Sequence, residues 1–114
     1  MLNLSVTVDL QNGSVSTKRS VTSVLPQAGD GGKVSTVSVA TGGTTHDFGD
    51  ATRGYVFIRN LDDTNFVYWG AASASGRIGK IEAGEFAMFR RCNQNYVFTA
   101  DTAACLLEIT AFDA

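Results

Sequence analysis

Leu2, Leu4, Val6, Val8 and Leu10 are apolar, and the residues between them, Asn3, Ser5, Thr7 and Asp9, are polar. Successive side chains point to opposite faces of a β-strand, so this spacing gathers the apolar groups on one face and the polar groups on the other. On a helix the same residues would be scattered around the axis. No window of helical length shows apolar residues at three-four spacing, so the sequence predicts an all-β protein with little or no helix. Twelve glycines, a single proline and much threonine, serine and valine point the same way.

The rest of the chain alternates strand patterns with turn chemistry. Asn12-Gly13 predicts a turn into a long, polar, edge-like strand over 15–25, where Lys18 and Arg19 suit an open edge. Pro26 to Gly32 breaks the ladder, a strand follows over 34–40, and residues 41–50 form a connection with a short strand inside it. Apolar density then rises. Segments 55–60 and 65–70 predict two strands joined by Leu61-Asp-Asp-Thr64, and their continuous apolar character predicts cover on both faces. After a small-residue loop at 71–76, segments 78–81 and 85–91 predict a hairpin around Glu82-Ala-Gly84. Asn93-Gln-Asn95 turns the chain into strands over 96–99 and 105–112. Eight to ten short strands in 114 residues predict one small β-sandwich or jelly-roll-like barrel spanning residues 1–114. Residues 1–53 are its more polar part, able to supply edge or arm strands.

The formal charge of -2 and pI near 5.1 leave no overall basic footprint for nucleic acid or an anionic membrane, so neither is an expected partner. The first residues lack a basic start and an unbroken apolar run, so a strand is expected there and not a signal peptide. No apolar run approaches the ~20 residues of a membrane-spanning helix. Cys92 and Cys105 are expected as free, mostly buried thiols, with a cross-strand disulfide as the other possibility.

Catalytic and cofactor readings find little support. His46, the single histidine, sits beside Asp47 and Asp50 without an identifiable nucleophile, and these residues have no recognised metal-ligand spacing. Asp47-Phe48-Gly49 matches the kinase magnesium motif by letters alone, in a chain far too short for a kinase. Gly79-Lys80 fails as a phosphate loop, because Ala74 replaces the first glycine and Ile81 the Ser or Thr. Asp62 and Asp63, with Asn60 and Asn65, suit either an ordinary turn or a calcium loop. The expectation is therefore no enzyme and no cofactor. Contact candidates are Lys18 and Arg19, the basic pair Arg90-Arg91, and Tyr68 with Trp69, which point to opposite faces of one strand. An exposed aromatic there could fill a protein interface or stack on a sugar, with Asp62, Asp63 and Asn65 as polar partners.

Three segments taken together, Gly54 to Gly70, Ile81 to Arg90 and Tyr96 to Ile109, resemble small virion proteins of tailed bacteriophages. The shared features are an R-N-x-D-x-T-N hairpin (Arg59 to Asn65), an x-A-G-E turn (Glu82 to Glu85) and an A-x-T-A lead-in to the last strand (Ala100 to Ala103). The resemblance covers about half the chain and leaves out residues 1–53. It implies a non-enzymatic decoration (cement) protein that binds the major capsid protein on the outer shell and stabilises the assembled head. It also implies a virion location after assembly in the host cytoplasm, and a homo-oligomer, with a trimer favoured. A head-tail neck or tail component is the neighbouring reading, and a carbohydrate-binding β-sandwich is the alternative from another class.

Overall fold

A computed structural model describes residues 2–25, 31–49, 54–71 and 76–112. Most of the loops expected at 26–32 and 71–76, together with Asp50, lie outside the described residues. Ten strands follow in chain order: β1 (Leu2–Asn12), β2 (Val15–Leu25), β3 (Gly32–Val39), β4 (Thr44–Asp47), β5 (Tyr55–Asn60), β6 (Val67–Gly70), β7 (Arg77–Ile81), β8 (Phe86–Arg90), β9 (Asn95–Ala100) and β10 (Cys105–Phe112). The described residues contain no helix.

Strands β3 to β10 form one nested antiparallel pairing folded over on itself. β6 pairs with β7, β5 with β8, β4 with β9 and β3 with β10. The further ladders β10–β5 and β6–β9 knit these pairs into two four-stranded sheets, β3-β10-β5-β8 and β4-β9-β6-β7. This is the double Greek-key arrangement of a jelly roll.

The two hairpins expected in the middle of the chain are not hairpins. β5 and β6 lie in different sheets, as do β7 and β8, so the turns at 61–66 and 82–85 carry the chain across the sandwich. The reason is the burial pattern: β5 and β8 share one sheet and place Val56, Ile58 and Phe89 inward, while Val67 and Ile81 meet them from the other. Backbone bonds fasten the crossing, with Asn60 N donating to Glu85 O and Gly84 N to Asn60 O. Gly84 takes φ 75°, a left-handed conformation that favours glycine.

The core lies between the sheets. Val39, Val56, Ile58, Cys105, Leu107 and Ile109 come from one sheet, and Val67, Ile81, Tyr96, Phe98 and Ala100 from the other. Trp69 of β6 stacks on Phe89 of β8 across the gap, with ring centroids 4.5 Å apart and planes 5° from parallel. Contrary to expectation, among the described residues no third layer lies over the outer faces of β5 and β6. Tyr55, Phe57 and Tyr68 point outward and are half-buried by ring and cation neighbours in place of a third layer.

β1 and β2 form a two-stranded sheet of their own, paired in register from Leu2↔Leu25 to Asn12↔Val15. Among the described side chains, none from β1 or β2 joins the core or the partly buried residues packed against it. The Cα radius of gyration is 15.0 Å, against about 13 Å for a compact chain of this length, as a projecting hairpin arm requires.

Candidate functional site

The acidic loop that invited a calcium reading is braced from within. The buried Asn60 carboxamide donates to Asn65 O (2.9 Å) and Ile81 O (3.2 Å), and its oxygen accepts from Asp62 N (3.0 Å). Asp62 Oδ2 accepts from Thr64 N (2.9 Å) and Asn65 N (2.6 Å), which holds its carboxyl below the ordinary carboxylate range. Thr102 Oγ1 donates to Asn65 Oδ1 at 2.8 Å, tying in the turn before β10. These oxygens therefore already serve the inter-sheet crossing. Among the described residues, no group of three or more His, Cys, Asp or Glu side chains is placed to hold a metal ion.

His46 lies on β4, edge-on to Phe48 with centroids 4.6 Å apart. Both line a cleft of ≈ 80 Å³ with Lys33, Ser35 and Ile109, far below the ~300 Å³ at which ligand pockets begin. Burial lowers its pKa from the ordinary 6.5, Lys33 and Arg91 lower it further, and Asp47 opposes them. Below pH 6.5 the unfolded chain thus binds a proton that the folded chain resists, and stability falls as pH drops through this range. The melting temperature is expected to fall between pH 7.5 and 5.5, and His46→Gln to flatten that fall; an unchanged slope in the variant would remove His46 as its cause.

Broader surfaces are more informative. On the outer face of β3-β10-β5-β8, the register sets Tyr55 beside Arg90, Phe57 beside Met88 and Arg59 beside Phe86. Phe86 is 64% exposed and stacks on Phe57 at 5.4 Å, while the Arg90 guanidinium stands 5.4 Å from the Tyr55 ring. Val34, Leu106 and Met88 are also exposed there. Apolar side chains gathered this way on one face mark an interaction surface. The outer face of β6-β7 is aromatic and cationic. The Arg77 guanidinium lies 3.8 Å over the Tyr68 ring, Lys80 Nζ lies 4.5 Å over Phe66, and Ile78 is 62% exposed beside them.

The contact candidates separate accordingly. Lys18 and Arg19 are exposed on the arm, Arg90 borders the outer aromatic face, and Tyr68 faces outward beneath Arg77. Trp69 faces inward against Phe89 and Tyr96 because the Cβ-less Gly79 opposite leaves room for its indole. Arg91 is only 3% exposed, with its guanidinium 4.8 Å over Phe48. In the isolated chain Trp69 is thus partly buried and Arg91 buried, and both contribute to its packing. Both cysteines are free; Cys105 is buried, whereas Cys92 is exposed instead of buried as expected. The sequence signal that was missed is the outward set Phe86, Met88 and Arg90, spaced two apart on one strand. In comparisons with known proteins, no family model, curated protein or solved structure matches the chain.

Proposed function

We propose that the protein is a non-enzymatic structural component of a tailed-phage virion, a decoration protein that docks on the outer shell through the major capsid protein and stabilises the assembled head. The observation that carries the reading is the open outer face of β6-β7, where Ile78 is 62% exposed beside the cation–aromatic pairs Arg77–Tyr68 and Lys80–Phe66. A jelly roll with open aromatic faces suits docking, since rigid sheets present such side chains without an ordering cost on binding. The fold contributes only by analogy, because jelly rolls serve as viral capsid domains and also as lectins. The resemblance over Gly54 to Ile109 directs the choice toward the virion. In the sugar-stacking alternative, the partly buried Trp69 stacks on Phe89, which leaves the outward-facing Tyr68, beneath Arg77, as the platform.

The β6-β7 face, with Arg77, Lys80 and Ile78, is our choice for the shell contact. A ligand that binds the assembled lattice but not free subunits shifts the equilibrium toward assembly, and repeated copies strengthen the effect. Purified protein added to shells stripped of it should co-sediment to saturation and raise the temperature at which they fall apart. Ile78→Asp should weaken both effects at least tenfold. Failure of the wild-type protein to sediment with shells would overturn the proposal.

A further inference from the structure

The arm and the outer aromatic face present the same problem twice. Opposite residues of an antiparallel pair share a face, so the arm carries Leu4, Val6, Val8, Leu10, Val15 and Val21 on one side, interrupted by Thr17, Arg19 and Ser23. Val21, Leu10 and Val15 are 55%, 64% and 71% exposed. An isolated two-stranded ribbon is marginal in water and becomes stable when its apolar face packs on something. Among the described residues, no arm side chain joins the core or the residues packed against it, while β3-β10-β5-β8 displays the exposed Phe86, Met88, Leu106 and Val34 on its outer face.

We infer that these surfaces cover one another between two copies of this chain, the arm of each lying with its apolar side on the outer face of the other's β3-β10-β5-β8 sheet. The dimensions favour a second copy. About nine residues of two strands, at ~3.4 Å per residue and ~4.8 Å between strands, give the arm an apolar face of about 300 Å². Four strands of five to eight residues offer a sheet face at least as large. One arm seated on one sheet buries about 600 Å² in total, and a reciprocal exchange about 1,200 Å², which reaches the range of stable specific interfaces. Arms paired only with each other would stop near 600 Å², below the ~1,000 Å² threshold. The inference holds whether or not the virion reading does, since it concerns only copies of this chain.

The test is the solution mass of the full chain by light scattering during gel filtration at micromolar concentration. The wild-type protein should run at two or more times its 12.1 kDa. Val6→Lys with Val21→Glu places opposite charges across the ribbon, preserving the hairpin while spoiling its apolar face, and should run at 12.1 kDa. Phe86→Glu with Met88→Thr alters only exposed positions, sets the new carboxylate beside Arg59, and should likewise run at 12.1 kDa. Unchanged emission from Trp69, partly buried and stacked on Phe89 between the sheets, would show that each sandwich is intact. A wild-type protein of 12.1 kDa would overturn the inference and assign the arm to a different partner. A Phe86→Glu/Met88→Thr variant that kept the wild-type mass would overturn it in favour of arm-to-arm pairing.

Discussion

Asn60→Ala is expected to destabilise the fold by about 2–3 kcal/mol, because it removes three hydrogen bonds at once, one to a buried and two to partly buried backbone groups. The carboxamide is fully buried and holds Asn65 O, Ile81 O and Asp62 N together at the crossing from one sheet to the other. The buried Ile81 carbonyl left without its partner costs about 1–3 kcal/mol, and the two partly buried groups cost less because water reaches them more easily. For a domain of this size the loss corresponds to a fall in melting temperature of about 10 °C. Asn60→Asp discriminates the cause, since a carboxylate keeps the acceptor for Asp62 N and loses both donors. It should be at least as damaging. Denaturant unfolding of both variants measures this; a loss below about 1 kcal/mol for Asn60→Ala would show that the crossing is held elsewhere, and the backbone bonds of Gly84 and Glu85 would then be its principal fasteners.

Gly79→Val should be the next most harmful change. A Cβ at Gly79 would stand 2.6 Å from Trp69 Nε1 and 3.0 Å from Cε2, so the indole would have to move. It cannot retreat freely, because Phe89 stacks on it at 4.5 Å and Tyr96 lies 6.4 Å away on the same side of the core. Overpacking of this kind costs about 1–3 kcal/mol, and two further methyl groups place valine toward the upper end. As Trp69 is the single tryptophan, its emission reports the displacement directly and should shift to the red. An unshifted spectrum with unchanged stability would mean that the strand, and not the ring, gives way.

The period-two run from Leu2 to Leu10 and the dense apolar segments at 55–60 and 105–112 announce strands by themselves, and the structure places β1, β5 and β10 there. Partner choice is not written locally. Asx-type turns at Asp62 and the glycine turn at Gly84 look the same whether they close a hairpin or cross a sandwich. What decides is Asn60 reaching Ile81, 21 residues away, and Thr102 reaching Asn65, 37 residues away. Facing was ambiguous for the same reason. Tyr68 and Trp69 are both large and aromatic, and only the glycine at position 79 selects which of them turns inward. The burial of Arg91 had no sequence signal, since a basic pair ordinarily belongs to solvent; Phe48, brought alongside by the fold, accounts for its position. The outer aromatic face escaped notice because β8 alternates Phe86, Met88 and Arg90 with Ala87 and Phe89, leaving both sides apolar.

Docking of the β6-β7 face on a phage shell is the centre of this account, and the copy number of the protein in purified phage particles tests it most directly. Quantitative peptide mass spectrometry against the major shell subunit should give comparable abundance if the protein decorates the shell. Complete absence from the particles would contradict the account, and a few copies per particle would contradict the shell assignment in favour of the neck or tail.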